Sequence, residues 1–372
     1  MSDGKKHALL SPSASERWMR CTKSARLTEN YPDKTSSYAE EGTLYHNVAE
    51  AKLRHRLGLG KKPKKCTNAE MDGYTDDYVL FVMEQAEGLT NPTTYVEQRV
   101  DCSRWIPECR GTCDTIIVSD GVLHVIDLKA GRGVKVSPDA EQLRIYALGA
   151  LEMFGFLYEI NTIRLSIFQP RINNCDTWEV PRTDLERWAE KTLKPAAELA
   201  WKGEGVYVAG DHCQFCKAKA ECRERAKVNM ELAAYDFIDP PLLDTDEIAV
   251  ILRKVDRLVA WASDIKDFAL VEALRGVKFD GWKIVEGRSN RRYTNEDAVA
   301  SAVKEIGLDP YKHELLGITA MTSLLGKKRF EDTLGRLIEK PIGKPVMVQS
   351  TDKRQEMNLN TAADDFADPI EN

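Results

Sequence analysis

Two aspartates and a lysine stand in apolar surroundings within residues 111–131, GTCDTIIVSDGVLHVIDLKAG. Asp114 and Asp127 each interrupt an apolar run, and Lys129 follows two residues after the second acid. Carboxylates that are close together and partly desolvated repel each other, so they share either a proton or a cation. Oxygen ligands of this kind suit Mg²⁺ or Mn²⁺, and a neighbouring lysine can hold or deprotonate a water molecule. The residue types therefore predict metal-assisted hydrolysis of a phosphodiester.

A tight turn is expected to bring these side chains together. Asp120 and Gly121 lie between two apolar runs, a strong hairpin signal in which both turn residues have positive φ. In that register Asp114 lies directly opposite Asp127, with Cβ atoms about 5 Å apart on one face of the sheet. Lys129 points to the same face because side chains alternate along a strand. The alternative is a hairpin whose acids and lysine simply meet solvent on an exposed face.

Two predicted helices carry further candidates for the same site. His46 lies on an early amphipathic helix and can supply a neutral imidazole as a metal ligand. Gln142 and Tyr146 are four residues apart, so they share one face of the helix that follows the hairpin. Together with the cysteines described next, these residues favour a functional site over the solvent-exposed alternative.

Three cysteines in the segment GDHCQFCKAKAEC indicate a second metal site. Cys213, Cys216 and Cys222 have the spacing C-x2-C-x5-C, which differs from the paired C-x2-C knuckles of a zinc ribbon. A fourth ligand is needed, either His212, which would favour Zn²⁺, or a distant cysteine, for which Cys21 is the natural candidate. Four thiolates suit an iron–sulfur cluster, which would pin the first and last segments of the domain together.

The composition is that of a globular protein rather than of a passive nucleic-acid coat. The 372 residues are 42% hydrophobic and 30% charged, with a formal net charge of −6. A protein that only coats nucleic acid is usually basic, whereas a nuclease can combine an acidic total with a local basic groove. We see neither a secretory signal nor an apolar run of about eighteen residues, so a cytoplasmic protein without a membrane span is expected. Nine cysteines, an odd number, argue against a disulfide framework.

The order of the predicted elements indicates an α/β fold with a mixed central sheet flanked by helices. Helices are expected at residues 38–57, 72–87, 137–154, 183–201 and 244–275, and strands at residues 94–100, 114–119, 122–129, 160–170 and 176–180. Ser137 is expected to cap the third helix, and Thr183 with Glu186 to form a capping box at the fourth.

The chain is expected to contain two modules and a tail. Residues 1–235 would form the domain that carries the site, and residues 240–348 a mainly helical accessory module. Within that module, residues 281–294 are expected to form one or two short strands, followed by two or three helices. The polar, acidic residues 349–372 are expected to be disordered.

Taken together, the motifs resemble the PD-(D/E)XK nuclease superfamily over residues 10–230. The chain is similar in particular to its RecB-like branch, which includes the AddB exonucleases, CRISPR-associated exonucleases with an iron–sulfur cluster, and an uncharacterised phage-borne family. The matching residues are Gly42 and His46 of G-x3-H, Gly111 and Asp114 of Gly-x-x-Asp, Asp127 and Lys129 of acid-x-Lys, Gln142 and Tyr146 of Q-x3-Y, and the cysteines Cys21, Cys213, Cys216 and Cys222. The chain departs from the pattern at Cys113, where a proline is usual before the first acid.

The resemblance implies a restriction-endonuclease-like core and a metal-dependent DNA nuclease. Exonuclease action in phage or bacterial DNA recombination, repair or processing is expected, with a 5′-phosphate product. The resemblance also implies that His46, Asp114, Asp127 and the backbone carbonyl of Leu128 bind Mg²⁺ or Mn²⁺. The four cysteines would hold a [4Fe–4S] cluster, with Zn²⁺ as the alternative occupant.

The same resemblance suggests roles and partners. Lys129 would orient the attacking water, and Gln142 and Tyr146 would contact the substrate backbone or brace the lysine. DNA, single-stranded or with free ends, is the expected partner. Because the chain lacks the helicase motif G-x4-G-K-[ST], a separate helicase, single-strand-binding or recombination protein is expected as well.

Two other interpretations stay open on the sequence. One is a non-catalytic DNA-binding or recombination scaffold with the same fold, and the other is a zinc-stabilised protein without nuclease activity. The basic segments at residues 61–65, 288–293 and 327–330 are candidates for contacts with the DNA backbone. For each of these segments the residues favour a solvated surface loop over a DNA contact.

Overall fold

A computed structural model describes residues 8–32, 37–131, 134–231, 243–285, 295–305, 311 and 317–338. The chain divides into two compact units, Met1–Val285 and Glu286–Asn372. The first unit holds the sheet and all the candidate site residues. It extends past residue 235, where the sequence suggested a boundary, because the long helix after that point belongs to it. The predicted tail, residues 349–372, lies outside the described residues.

A five-stranded mixed sheet forms the centre of the first unit, and its strand order is the chain order. The strands are β1 Thr93–Asp101, β2 Arg110–Ser119, β3 Gly121–Leu128, β4 Ile160–Gln169 and β5 Asn174–Pro181. β3 and β4 are parallel, whereas the other neighbouring strands are antiparallel. The connection between the parallel strands contains a helix, as such a crossover requires. The predicted α/β class with a mixed sheet is confirmed.

Helices flank the sheet and continue towards the C-terminus. The first unit contains α1 Ser15–Arg20, α2 Ser24–Leu27, α3 Ser37–Arg56, α4 Ala69–Glu87, α5 Glu141–Phe154, α6 Arg182–Trp188, α7 Lys194–Lys202, α8 Arg223–Met230 and α9 Thr245–Leu274. A π-helical turn, Ala189–Leu193, joins α6 to α7. The described part of the second unit contains α10 Glu296–Glu305, α11 Ile318–Leu325 and α12 Lys327–Leu334. Within the described residues, no helix has the length and apolar character needed to cross a bilayer.

Two apolar cores lie on opposite faces of the sheet. Ile116 and Val118 of β2 pack in the core that includes α5, which we call the α5 core. Ile117, between them, packs in the core that includes α3 and α4, the α3–α4 core. Because successive side chains of a strand point to opposite faces, the central strands are buried on both sides. This explains why their sequences are almost continuously apolar.

The β2–β3 hairpin has the predicted register. Thr115 pairs with Ile126 and Ser119 with Val122, as a two-residue turn at Asp120 and Gly121 requires. The expectation of positive φ at both turn residues is wrong, since only Gly121 has a positive φ, at 91°. A turn whose second central residue alone has positive φ needs glycine at that position only.

Two helix starts differ from the prediction. α5 begins after Ala140 rather than after Ser137, because the Ala140 amide donates to the Ser137 carbonyl and closes a separate turn before the helix. α6 follows β5 directly, with Pro181 as its N-cap residue. Thr183 therefore lies inside the first turn, and Glu186 forms an ion pair within the helix instead of a capping box.

The C-terminal helices follow the prediction more closely than the expected strands do. α9 starts with the capping box of Asp244 and Glu247, in which each side chain accepts from the other residue's backbone amide. Residues 281–285 form no strand, so this part of the expected strand pair is wrong, and residues 286–294 lie outside the described residues. The helices α10, α11 and α12 match the helices predicted up to about residue 340.

A pair of glycine substitutions tests the hairpin turn. A Cβ atom at Gly121 would meet open space, so Gly121→Ala acts only through its left-handed φ. We expect it to lower the free energy of unfolding by about 1–2 kcal/mol. Gly73, inside α4, also faces open space but has helical φ, so Gly73→Ala should raise that free energy by up to about 1 kcal/mol. Chemical denaturation measures both, and effects of the same sign would contradict the assigned turn.

Candidate metal centre

Asp127, Lys129, Gln142 and Tyr146 form one hydrogen-bonded group on the α5 face of the sheet. Asp127, near the end of β3, is only 4% exposed. The Lys129 Nζ lies 3.3 Å from Oδ1 and 3.0 Å from Oδ2 of this carboxylate. The Gln142 side chain accepts from Lys129 at 3.2 Å, and its Nε2 lies 3.4 Å from both Asp127 Oδ1 and the Tyr146 hydroxyl. The helix spacing of Gln142 and Tyr146 thus brings both side chains to the acid–lysine pair.

Asp114 has its contacts on the α3 side. Its Oδ1 lies 3.2 Å from Nδ1 of His46, which α3 carries. Its Oδ2 accepts a hydrogen bond of 2.7 Å from the backbone amide of Leu128. The ladder between β2 and β3 ends at Thr115, the residue after Asp114, and at Ile126, two residues before Leu128. The Asp114 carboxylate therefore serves as the acceptor for a strand amide that has left the ladder.

The sequence placed Asp114 and Asp127 on one face, whereas their partners come from helices on opposite faces. Alternation along β2 is interrupted at Asp114. Cys113 packs in the α5 core, although the hydroxyl of Thr115, two residues on, lies 2.8 Å from the Tyr78 hydroxyl of α4. Residues two apart in a regular strand share a face, so the strand twists out of its regular pattern at the acid.

Glu97 joins the centre, although no motif in the sequence marked it as a candidate. It lies in β1 next to Asp114 of β2. The chain neighbours of Glu97 pair with the chain neighbours of Asp114. The ligand atoms of Glu97, Asp114 and His46 all lie within 4.8 Å of one another. Two carboxylates and an imidazole at this spacing are a donor set that a divalent cation can bind.

The backbone of β1 explains why Glu97 reaches the centre. Its φ is 51°, in the left-handed region that a non-glycine residue seldom adopts. Val96 packs in the α3–α4 core but Val100 packs in the α5 core, although an even separation should put both on one face. A strict alternation along β1 would bury Val96 and Val100 in the same core. Their burial in different cores is the sign of this change of face.

The electrostatics of the centre reflect crowded acids. Burial and the neighbouring Asp114 raise the pKa of Glu97 to about 7. Burial also raises the pKa of Asp127, against the opposing charge of Lys129. Burial by itself would lower the pKa of His46, but its hydrogen bond to Asp114 and the negative charges of Asp114, Asp127 and Glu97 together outweigh this, and the pKa is raised. Asp127 Oδ2 is buried without a hydrogen bond despite its ion pair. A bound cation would relieve this excess of negative charge.

Lys129 keeps its charge in this setting. Burial lowers the pKa of its ammonium, but the negative charges of Asp127 and Asp114 outweigh burial and raise it. The lysine is therefore a cation and a hydrogen-bond donor at neutral pH rather than a general base.

The Leu128 side chain is buried in the α3–α4 core, so only its backbone belongs to the centre.

Arg171 connects the two sides of the centre. Its side chain is 7% exposed and donates to the two oxygens of Glu41 at 3.0 and 2.5 Å. The guanidinium lies 4.8 Å from the ring centre of Tyr45 and donates to the Ala130 carbonyl at 3.3 Å. Tyr45 and Ala130 are the chain neighbours of the histidine and the lysine of the centre. One side chain thus fixes α3 against the end of β3, and its distant partners left no local sequence signal.

The four candidate cysteines lie together in the first unit. They line one cavity, whose wall also includes two arginines; these residues are Cys21, Cys213, Cys216, Cys222, Arg17 and Arg225. Backbone amides of Val208 and Gly210 point at two of the sulfurs, each at 3.4 Å. His212 Nε2 lies 2.9 Å from the Val208 carbonyl, so that ring nitrogen already has a partner. The arrangement brings the distant Cys21 to the other three thiols.

The sulfur spacing is wider than a single-ion site needs. All four cysteines belong to the described residues, yet no three of their sulfurs lie within 4.8 Å of one another. A tetrahedral zinc ion with Zn–S bonds of about 2.3 Å brings its sulfurs to about 3.8 Å.

The basic segments are distributed over both units. Lys61–Lys65 form an exposed loop between α3 and α4. Residues 327–330 belong to α12 in the second unit, and residues 288–293 lie outside the described residues.

Fold and centre together define an α/β protein with a carboxylate–histidine group beside a mixed sheet. The chain belongs to the family described as "Protein of unknown function (DUF2800)", whose family model matches residues 7–355. It is also similar to a solved structure titled "Crystal structure of SSO0001", with 15% sequence identity and a TM-score of 0.23. That alignment covers 56% of this chain and 96% of the solved one. A TM-score this low carries no argument about fold or function.

Glu97→Gln tests whether the added glutamate binds the cation. The substitution keeps the shape but removes a negative ligand, so Mn²⁺ affinity should fall at least about tenfold. Isothermal titration calorimetry of the purified protein measures this. Glu159→Gln, the same change at an exposed position, is the control. Unchanged affinity in Glu97→Gln would exclude Glu97 as a ligand.

Arg171→Lys tests the link between the two sides of the centre. Lysine keeps the charge but cannot contact both oxygens of Glu41 and the Ala130 carbonyl together. We expect Mn²⁺ to bind about tenfold more weakly, because its ligands lose their relative position. Arg164→Lys, on β4 with a partly exposed ion pair to Glu179, is the matched control. Equal losses in both variants would contradict a positioning role for Arg171.

Proposed function

We propose that this protein is a metal-dependent DNA nuclease of the PD-(D/E)XK type. The observation that carries the proposal is the convergence of His46, Glu97 and Asp114 beside the Asp127–Lys129 pair, where the β2–β3 ladder ends. The resemblance of the motifs supplies the reaction class, and the donor set is compatible with it. Phosphodiester hydrolysis in DNA processing is the activity that uses all of these groups.

The oxygen and nitrogen donors fit Mg²⁺ or Mn²⁺. His46, Glu97, Asp114, Asp127 and the Leu128 carbonyl would hold the ion. When bound, it would act as a Lewis acid on the phosphate and lower the pKa of a water molecule. The raised pKa of Glu97, which burial and the nearby Asp114 cause, supports this fit because a cation would offset the negative charge there. Asp127 Oδ2 accepts no hydrogen bond and so retains ligand capacity beside its ion pair with Lys129.

The chain's own residues then position the reactants. Lys129 is protonated and is held between Asp127 and Gln142, so its ammonium can orient the attacking water and offset charge on the phosphate. Gln142 keeps the lysine in place and contacts the Tyr146 hydroxyl. We expect Tyr146 to brace this group or contact the substrate backbone, and the product to carry a 5′-phosphate.

We propose further that the cysteine group holds a [4Fe–4S] cluster. The spread of the sulfurs, the amides directed at them and the arginines in the wall all suit a large anionic group. Zinc is the alternative occupant, and metal analysis of anaerobically purified protein distinguishes the two. DNA with free ends or single strands would be the substrate, with unwinding provided by a separate helicase or recombination protein.

A nuclease assay with matched aspartate variants tests the proposal. Wild-type protein with Mn²⁺ should degrade end-labelled linear single- or double-stranded DNA. Asp127→Asn and Lys129→Met should each reduce the rate at least about a hundredfold while DNA binding is kept. Asp120→Asn, in the exposed turn of the same hairpin, is the control and should be fully active.

The outcomes separate the candidate functions. Full activity in Asp127→Asn or Lys129→Met would overturn the assigned centre. DNA binding by the wild-type protein without any Mn²⁺-dependent cleavage would favour the non-catalytic scaffold. End-labelling also shows whether cleavage starts at ends and with which polarity.

A further inference from the structure

Helix α9 lies outside the residues that resemble the nuclease family. Its ion pairs, however, are formed with the segment that carries three of the cysteines. Asp264 of α9 lies 2.7 Å from Lys219 Nζ and 2.6 Å from Arg225 Nη1. Two turns earlier on the same helix, Arg257 pairs with Asp211 at 2.7 Å. The three partners of α9 flank the C-x2-C-x5-C motif on both sides or lie within it.

Arg225 connects Asp264 to the cavity of the cysteines. It lines that cavity and is 6% exposed, so its charge is largely removed from water. The same nitrogen that meets Asp264 donates to the Lys219 carbonyl at 3.0 Å. A buried cation without a counter-charge is strongly unfavourable. Asp264 therefore fixes the segment from Lys219 to Arg225, in which Cys222 lies.

Apolar packing holds α9 only in part. None of its thirty residues is fully buried, and α8 is the element that it contacts most. The Arg257–Asp211 pair is more than half exposed on both sides, so it contributes little to holding the helix. The Asp264–Arg225 pair is the shielded contact, with 15% and 7% of the two side chains exposed. The position of α9 thus depends on a residue of the cysteine cavity.

We propose that α9 is a clasp of the cysteine centre, in which Asp264 is a positioning residue that retains the bound cofactor through Arg225. This inference rests on the proposed cofactor role of the cysteines. It assigns a role to a helix that the nuclease motifs leave unused. Loss of the Asp264 charge frees Arg225, loosens the segment that carries Cys222, and opens the cavity to solvent and chelators.

Cofactor release from Asp264→Asn tests the clasp directly. The protein is purified anaerobically with its cofactor bound. Its iron and zinc contents are then followed during incubation with a chelator. We expect the variant to lose the metal at least about tenfold faster than the wild-type protein. Asp267→Asn is the matched control, since it makes the same change at an exposed position one turn further along α9.

The thermal stabilities separate a clasp from a merely structural ion pair. In the wild-type protein, the loaded form should melt well above the metal-stripped form. In Asp264→Asn this difference should shrink, because part of the coupling between α9 and the centre is lost. An equal decrease in both forms, with unchanged metal release, would overturn the clasp.

A measurement on the wild-type protein covers the case in which Asp264→Asn does not fold. Amide hydrogen exchange within α9 should be slower in the loaded than in the metal-stripped protein, with no difference in α4 as the internal reference. Equal exchange of α9 in both forms overturns the clasp and leaves the nuclease assignment standing. Protein that carries neither iron nor zinc at its cysteines overturns the clasp and the proposed cofactor together.

Discussion

The hydrogen bond from the Leu128 amide to the Asp114 carboxylate is the interaction on which the candidate centre depends. The β2–β3 ladder ends at Thr115 and Ile126, so the amide of Leu128, two residues further along β3, needs another acceptor. A buried amide without one costs about 1–3 kcal/mol. Asp114 fills this need with one oxygen, which leaves the other directed at His46. The backbone thus orients the Asp114 carboxylate. The end of the regular β2–β3 ladder and the position of the metal centre therefore have the same cause.

The centre concentrates charge in a way that does not favour stability. Glu97 and Asp114 are drawn together with His46, and burial together with the charge of Asp114 raises the pKa of Glu97. The charge of Asp114 also acts on the buried Asp127. Lys129 and His46 offset part of the repulsion. Glu97 also has a left-handed φ, which adds backbone strain at the same point. Strain and crowding at one place are typical of a site kept for function, and a cation would relieve the crowding.

Much of the fold could be predicted because its signals are local. Apolar runs separated by turn residues predicted the strands, and the Asp120–Gly121 turn predicted the hairpin register. Spacing within one helix predicted that Gln142 and Tyr146 act together. The prediction failed at Glu97, because a left-handed φ at glutamate has no signature in residue type. The same holds for residues such as Arg171, whose partners lie on other elements far away in the chain.

By itself, the sequence determined the five strands and most of the long helices, the register of the hairpin, the Asp127–Lys129 pair and the C-x2-C-x5-C spacing. These features depend on contacts between residues close together in the chain. Only the tertiary structure decided that Asp114 turns towards α3, that Cys21 joins the three late cysteines in one cavity, and that α9 reaches Arg225. Each of these depends on contacts between elements that are far apart in the chain: packing of helices against the sheet for Asp114, and ion pairs for α9. No short stretch of sequence contains both partners of such a contact.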